Sequence, residues 1–317
     1  MSFSSQVKEE LVRHTGQSRH CQLAELAAII ISLGLVTEDE GSGRRLCLQV
    51  DNAPALRKFF TLLRKAFNII TCILEDEPDV RAMGRIYRPV LKCENQIESV
   101  LGALKLLEDD GSVRSFENGV NPMVTRNSCC KRAFLRNLFL CNGSISDPNK
   151  GYHLEFVFDY EGQAGQAREM IESFDIEARI VRRKKYYVLY VKEGAGIVDL
   201  LNIMEAPVSL MDLENLRIVK EMRNSINRRV NCEVANITKT VNAAAKQIED
   251  ITFIRDNYGF MKLSEPLRQM AQVRLEHPDA TLLELGVLLD PPVGKSGVNH
   301  RLRKLSDLAE RIREGIV

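Results

Sequence analysis

Residues 20–34 read HCQLAELAAIIISLG, and residues 129–143 read CCKRAFLRNLFLCNG. Both stretches are apolar helical segments that end in glycine. Four identities between them stand at one common offset, namely Cys21/Cys130, Ala24/Ala133, Leu26/Leu135 and Gly34/Gly143. The sequence therefore predicts that one helix and its following turn occur twice.

Each copy is followed by the same order of hydrophobic patterns. An alternating strand comes next (45–50 and 153–158), then a helix, two further strands (70–74 with 86–92, and 178–181 with 186–191) and a last apolar helix. Each unit reads helix, strand, strand, helix, strand, strand, helix. Paired strands with helices grouped against them predict an α+β fold with a mostly antiparallel sheet covered on one face.

This duplicated αββαββα unit resembles the LAGLIDADG homing-endonuclease fold, and the chain as a whole resembles the WhiA family. The runs that carry the resemblance are 129–136 (CCKRAFLR), 142–148 (NGSISDP) and 291–305 (PPVGKSGVNHRLRKL). The resemblance covers essentially all 317 residues. It implies a LAGLIDADG-like saddle joined to an all-α helix-turn-helix domain, with a role in cell division, chromosome segregation and, in spore formers, sporulation.

The two helix ends depart from the nuclease pattern. In LAGLIDADG nucleases the residue before the motif glycine is acidic in each copy, because two carboxylates hold divalent metals against the scissile phosphates. Leu33 and Asn142 occupy these positions here. Leucine cannot bind Mg²⁺ and asparagine offers one neutral carbonyl oxygen, so we expect no catalytic residues and no nuclease activity.

Small residues and cysteines on these helices are interpreted structurally. Ala28, Ser32 and Cys141 lie near one helix face, where they would let the two copies approach closely. The eight cysteines include no C-x-x-C, and the five histidines show no paired metal spacing. We therefore expect no metal and no cofactor, with reduced thiols in a cytoplasmic, nucleoid-associated protein.

Composition is typical of a folded two-domain protein. The chain is 44% hydrophobic and 27% charged, and its net charge of +1 gives no global sign of nucleic-acid binding. It contains no apolar run of eighteen residues and no signal-peptide pattern, so we expect no membrane partner. Any DNA-binding charge must be local.

Three segments are predicted along the chain. Residues 1–207 form the degenerate LAGLIDADG-like domain, with repeats at about 18–108 and 127–206. Residues 208–230 form a linker helix, whose apolar stripe (Leu213, Leu216, Val219, Met222, Ile226) is predicted to rest on one domain while its basic residues (Arg217, Lys220, Arg223, Arg228, Arg229) face outward or track phosphates. Residues 231–317 form the helix-turn-helix domain.

The last domain reads as a series of short helices. One helix over 241–254 ends at Tyr258-Gly259, and another begins at Ser264 as N-cap. Thr281 and Glu284 form a capping box, and Asp290-Pro291-Pro292 ends the helix that follows. The connection from Asp290 to Lys295 is longer than the turn of a compact helix-turn-helix.

The helix after this connection is the predicted recognition helix. Ser296 is predicted to cap it, with Val298, Leu302 and Leu305 pointing inward. Its DNA-contacting residues are predicted to be Lys295, Ser296, Asn299, His300, Arg301, Arg303 and Lys304. Asn299 can pair with adenine, and Arg301 or Arg303 with guanine. The alternative is that these residues form a solvated helix face.

Basic residues also collect on the last hairpin of each repeat. The second repeat carries Arg179, Arg182, Arg183, Lys184 and Lys185, and the first carries Arg81, Arg85, Arg88 and Lys92. In the resembled fold the concave sheet faces the duplex, so Arg182, Arg183, Lys184 and Lys185 are a possible secondary DNA contact. Charged residues also collect at hairpin tips because these tips are exposed to solvent, and we give this explanation equal weight.

Three functions remain open. The first is a sequence-specific transcriptional regulator that binds double-stranded DNA as a monomer. The second is a DNA-anchored adaptor that recruits another transcription factor or a division protein. The third is a residual metal-dependent endonuclease, in which Asp39, Glu40 or Asp147 would replace the missing carboxylates.

Overall fold

The computed structural model describes residues 2–39, 43–70, 73–75 and 86–316. The chain divides into two compact units, Met1–Lys220 and Glu221–Val317. The first unit is α+β, and the second is all helical, as predicted.

The first unit contains the two predicted repeats. A short helix, α1 (Phe3–Leu11), precedes them. The first repeat runs α2 (Arg19–Leu33), β1 (Gly34–Asp39), β2 (Gly43–Leu48), α3 (Ala53–Phe67), β3 (Ile73–Glu75), β4 (Arg88–Leu91) and α4 (Glu94–Ala103). The second runs α5 (Ser128–Asn142), β5 (Gly143–Ile145), β6 (Leu154–Phe158), α6 (Glu161–Glu172), β7 (Arg179–Arg183), β8 (Tyr186–Val191) and α7 (Gly194–Ile203). The predicted element order is confirmed, although residues 71 and 72 of the predicted strand 70–74 lie outside the described residues.

Each repeat forms its own four-stranded antiparallel sheet. The strand orders are β1-β2-β4-β3 and β5-β6-β8-β7, which are equivalent under the repeat. In β6 the buried residues Leu154, Phe156 and Phe158 alternate with half-buried ones. This period of two places one face of the sheet against helices and leaves the other face half-buried.

The two repeated helices, α2 and α5, pack extensively against each other. Ala28 is fully buried, whereas Ser32 and Cys141 are half-buried. Both helices end on glycines that no larger residue could replace without displacement. A Cβ at Gly34 would lie 2.4 Å from the Ile30 carbonyl oxygen, and one at Gly143 would lie 2.3 Å from the Phe139 ring. The motif glycines are therefore required by close packing.

A buried ion-pair cluster joins the two repeats. Glu25 of α2 is fully buried and accepts from the Arg136 guanidinium of α5 at 2.7 Å. The Lys58 ammonium of α3, also fully buried, lies 3.0 Å from the other Glu25 oxygen. Arg136 additionally binds Glu205, which His14 contacts at 3.0 Å. These charges are compensated inside the domain, as buried charges must be.

The second unit is built on α8, which begins before the boundary. It comprises α8 (Pro207–Asn257), a 3₁₀ turn (Phe260–Lys262), α9 (Glu265–Glu276), α10 (Leu282–Val287) and α11 (Lys295–Arg313). Gly259 has φ +87°, a conformation that favours glycine, and it follows the end of α8 as predicted. The Thr281–Glu284 capping box is confirmed, whereas Ser264 occupies the N-cap of α9 without a side-chain hydrogen bond.

The sequence prediction for α8 was wrong in two respects. The linker helix and the helix predicted over 241–254 are one continuous helix, because no glycine or proline interrupts residues 208–258. The predicted apolar stripe also does not rest on a domain along its whole length. Leu213 is buried, but Met222 and Ile226 are 60% and 58% exposed.

Candidate nucleic-acid interface

The resembled nuclease fold places its metal-binding carboxylates at the positions that correspond to the C-terminal ends of α2 and α5. Leu33 and Asn142 are the last residues of these helices and are half-buried. Asn142 lines a cleft of about 690 Å³ together with Glu38 and Asp159. Glu38 is engaged by Arg44, whose Nη2 donates to it at 2.8 Å. Leucine and asparagine thus stand where the nuclease mechanism needs two carboxylates.

Of the three alternative carboxylates, Asp147 does not line this cleft. Asp147 stabilises its own loop, since its Oδ1 accepts from the Asn149 backbone at 2.9 Å and from the Asn149 amide at 3.1 Å. These hydrogen bonds lower the pKa of Asp147. The structure does not describe the Asp39 side chain, and Glu40 lies outside the described residues.

Helix α11 presents most of the predicted DNA-contacting residues on one exposed face. Val298, Leu302 and Leu305 are buried in the core of the helical unit. On the opposite side, two adjacent rows at a spacing of four residues are exposed: Lys295, Asn299 and Arg303, and Ser296, His300 and Lys304. These six side chains make no hydrogen bond or ion pair with any described residue.

Arg301 is placed differently from the other predicted contacts. It is half-buried and lies on the flank of α11 beside the core. It is therefore less accessible than Asn299 or Arg303. The sequence did not distinguish the exposure of Arg301 from that of Arg303, because the exposure of each side chain depends on how α9, α10 and α11 pack.

The N-terminus of α11 differs from the prediction. Gly294, rather than Ser296, is the N-cap, and no side chain caps the helix. Ser296 lies in the first turn, because the helix already begins at Lys295. The first-turn backbone N–H groups point outward beside Lys295, an arrangement that suits an anion.

The connection between α10 and α11 is held against α10 by a close backbone contact. The Val293 N–H donates to the Gly286 carbonyl at 2.9 Å. A Cβ at Gly286 would lie 2.1 Å from the Val293 carbonyl oxygen, so only glycine fits this position. This contact fixes the position of the connection and therefore the position at which the first turn of α11 begins.

The basic hairpin of the second repeat is exposed, but most of its charges have neighbours within the domain. Arg183 binds Glu155 at 3.1 Å. Arg182 lies over the Tyr187 ring and Lys185 over the Tyr186 ring, at 5.8 Å and 5.0 Å from the ring centroids. Lys184 occupies the turn with φ 55°. In the first repeat, Arg88 lies in β4 and Lys92 directly follows it, whereas Arg81 and Arg85 lie outside the described residues.

Two basic residues of α8 are also used within the first unit. Arg217 pairs with Glu214 at 2.7 Å. Lys220 donates to the carbonyls of Pro148 and Asn149, the latter at 3.0 Å. Arg223, Arg228 and Arg229 are exposed, and Arg229 also pairs with Glu233 at 3.7 Å. The basic face of this helix is therefore divided between structural contacts and free surface.

One cluster of side chains was not predicted from the sequence. His20, Cys21, Cys129 and Cys130 come together where α2 and α5 begin. Burial and hydrogen bonding to the Cys129 thiol raise the pKa of Cys21 to about 12. The signal in the sequence was the repeat itself, since the pairs His20/Cys129 and Cys21/Cys130 share the offset of the two motif glycines.

Fold and sites together define a LAGLIDADG-like protein with altered nuclease positions and a C-terminal helix-turn-helix unit. Residues 131–223 match the WhiA LAGLIDADG-like domain, and residues 226–309 match the WhiA C-terminal HTH domain. The chain belongs to the WhiA family.

Relatives that match over the full length support this assignment. The chain is 52% identical over 319 residues to a protein named probable cell division protein WhiA from Lachnoclostridium phytofermentans, covering 99% of this chain and 100% of the relative. It is 45% identical to a protein of the same name from Alkaliphilus oremlandii, covering 99% of each. The crystal structure of full-length WhiA from Thermatoga maritima superposes with a TM-score of 0.59 at 26% identity, covering 98% of this chain and 99% of that one.

No helix within the described residues is long and apolar enough to cross a membrane.

Proposed function

We propose that the chain is a sequence-specific DNA-binding transcriptional regulator that acts in cell division, chromosome segregation and, in spore formers, sporulation. We assign DNA reading to residues 231–317, a linking role to 208–230, and a non-nuclease LAGLIDADG-like domain to 1–207. The exposed face of α11 carries this proposal, because six polar side chains there have no partner within the described chain.

The chemistry of this face suits base-edge recognition. Asn299 offers the donor and acceptor pair that matches adenine, and the Arg303 guanidinium offers two parallel donors for guanine. Both lie in the first three turns of α11, the part of a recognition helix that enters the major groove. Arg301 is assigned a supporting contact at the groove edge, consistent with its half-buried position.

Phosphate contacts would come from the same helix. Lys295 and Ser296 lie beside the uncapped N-terminus, where backbone N–H groups and the helix dipole favour a negative charge. His300 and Lys304 form the outer row of the exposed face. Such contacts position the protein on the duplex without reading sequence.

We propose that the LAGLIDADG-like domain does not cleave DNA. Leu33 offers no oxygen ligand, and Asn142 lacks the negative charge that hard divalent cations require. The two repeats already provide an internal pseudo-dyad, so we expect the chain to bind DNA as a monomer. The proposed partner is double-stranded DNA, and we propose no cofactor for DNA binding.

A second candidate is a protein-recruiting role for the first repeat. Leu35, Cys47, Val90 and Ile73 pair across the strands in one row of the first sheet, in which Val90 is buried and Cys47 is half-buried. Leu35 and Ile73 are 55% and 51% exposed. An apolar row suits a protein surface better than a phosphate backbone, which favours an adaptor bound to DNA through α11.

The test combines a DNA-binding titration across a salt series with a Mg²⁺ and Mn²⁺ plasmid-nicking assay on the same protein. The target is first selected from random duplexes with the full chain. We expect the Asn299→Ala/Arg303→Ala variant to lose preference for the target, at about 1–3 kcal/mol for each base pair read. No nicking is expected from either protein.

Arg311→Ala is the matched control, since it removes one positive charge from the last turns of the same exposed helix. It should retain target preference. Equal binding of target and random DNA by the wild-type protein would refute the regulator and favour the adaptor. Metal-dependent nicking lost on substitution of Asp39, Glu40 or Asp147 would instead establish an endonuclease.

A further inference from the structure

The starts of α2 and α5 bring together four side chains that can bind a metal. The His20 Nδ1 atom lies 3.2 Å from the Cys130 Sγ, 3.3 Å from the Cys21 Sγ and 4.0 Å from the Cys129 Sγ. One ligand atom from each of the four residues lies within 4.8 Å of every other. Cys21 and Cys130 are buried, whereas His20 and Cys129 are exposed.

These distances suit one tetrahedral ion. With Zn–S near 2.3 Å and Zn–N near 2.0–2.1 Å, tetrahedral geometry separates the ligand atoms by about 3.6 to 3.8 Å. The observed separations bracket these values. Three cysteines and one histidine form a ligand set that is common in structural zinc sites, and soft thiolates disfavour Mg²⁺ and Ca²⁺.

Each repeat contributes two equivalent ligands. His20 and Cys21 lie in the first turn of α2, and Cys129 and Cys130 lie at the same positions of α5. The N-caps, Ser18 and Asn127, form no side-chain cap in either helix. Two uncapped helix N-termini thus converge on the ligands, and their dipoles favour a negatively charged group between them.

We propose that His20, Cys21, Cys129 and Cys130 form a structural Zn²⁺ site that ties the two repeats together at the start of their central helices. On binding, each of the three thiols releases its proton to solvent and the imidazole binds through Nδ1 as the neutral form. The resulting centre carries one net negative charge. No electron is transferred, and four protein ligands leave no open position for catalysis.

The site is distinct from the former nuclease centre. It lies at the opposite ends of α2 and α5 from Leu33 and Asn142, and it is built from cysteine and histidine rather than carboxylates. It also does not depend on DNA binding by α11. Loss of the metal and loss of DNA recognition can therefore be measured separately.

The experiment uses the full chain purified under reducing conditions without chelator. Elemental analysis should find one zinc ion per chain. After removal of the metal, Co²⁺ titration should produce thiolate-to-metal charge-transfer absorption and the visible bands of a tetrahedral site, both abolished by one equivalent of Zn²⁺. Chelation should lower the Tm of the wild-type protein, since an ion that binds only the native state stabilises it.

His20→Ala and Cys129→Ser are the decisive variants, because both side chains are exposed and their loss leaves the core packed. Each should weaken Zn²⁺ affinity by more than about 100-fold, since loss of an outer-shell partner alone costs 10–100-fold. Cys93→Ser/Cys232→Ser is the matched control, because both thiols are exposed and lie outside the cluster. It should bind like the wild type.

Three results would overturn the site. The first is wild-type protein that contains no zinc and gives no thiolate band with Co²⁺. The second is a Co²⁺ spectrum that persists in both Cys129→Ser and His20→Ala. The third is wild-type protein that, before any chelator is added, holds a disulfide among Cys21, Cys129 and Cys130 and, after reduction, fails to bind added Zn²⁺, which would identify the cluster as a redox pair.

Discussion

The charged side chains buried in the core of the LAGLIDADG-like domain have partners inside the protein, whereas the polar side chains on the open face of α11 have none among the described residues. Glu25 binds Arg136 at 2.7 Å and lies 3.0 Å from Lys58, with all three side chains buried. Asn299 and Arg303 are exposed. A compensated buried charge stabilises a fold, while an uncompensated exposed group is free to bind a ligand.

This difference separates structural from functional roles in a chain whose net charge is close to zero. The net charge of the chain does not distinguish these two roles, because paired and unpaired charged groups contribute to it equally. Four substitutions test the distinction, beginning with the largest expected effect.

Glu25→Ala should destabilise the first unit by about 3–5 kcal/mol, because it leaves Lys58 and Arg136 buried without their shared counter-charge. Urea unfolding followed by circular dichroism measures this loss. Glu9→Ala is the control, since Glu9 pairs with Arg57 on the surface at 2.7 Å and such pairs contribute about 0–1 kcal/mol. Similar losses in the two variants would contradict the structural role of the buried cluster.

Lys58 should give the first unit a distinctive pH dependence. Burial lowers the pKa of Lys58 from 10.5 to about 8, an effect that Glu25 partly opposes. Between these values the unfolded chain binds more protons than the native one, so this group makes stability rise with pH across the window. Unfolding experiments from pH 7 to 10.5 should show the rise in the wild type, and a smaller one in Lys58→Met. An identical profile in both proteins would exclude Lys58 as its source.

Gly286→Ala should weaken DNA binding without removing any group that contacts DNA. The added Cβ would lie 2.1 Å from the Val293 carbonyl oxygen, so the connection must shift and carry the first turn of α11 with it. Overpacking of this kind costs about 1–3 kcal/mol. Thermal unfolding and target binding are measured together, with Gly165→Ala as control, since no atom lies within 4 Å of its added Cβ. Unchanged target affinity in Gly286→Ala would show that this contact does not position α11.

Lys304→Ala should have the smallest effect. Loss of a lysine that contacts phosphate weakens binding to all sequences about equally and should reduce the salt slope by about 1. Titrations from 50 to 200 mM salt measure this slope for target and random duplexes. A loss confined to the target would instead assign Lys304 to base reading.

Much of the first unit could be predicted from sequence because its signal is periodic and repeated. Alternating residues such as Leu154, Phe156 and Phe158 identify a half-buried strand, and the repeat offset identifies its counterpart. Local chemistry also sufficed for the Thr281–Glu284 capping box. These features depend on residues close together in the chain.

The N-cap of α11 and the length of α8 were predicted less well. Ser296 is a good N-cap by residue type, yet the helix begins two residues earlier than a Ser296 cap would place it, after Gly294, where Val293 is held by Gly286. The break expected near residues 231–240 does not occur, because helix propensity continues through a stretch with few buried contacts.

The sequence by itself determined the duplication, the α+β class of each repeat, the presence of Leu33 and Asn142 rather than carboxylates before the two glycines, and the family. Only the tertiary structure decided which charged side chains are paired and which of the proposed metal ligands lie close together. His20 and Cys130 lie far apart in the chain, yet their side-chain atoms are 3.2 Å apart where α2 and α5 pack. Arg301 and Arg303 are two residues apart, yet helix packing half-buries one and exposes the other. Periodicity predicts the faces of each element, but contacts between distant elements depend on how those faces pack.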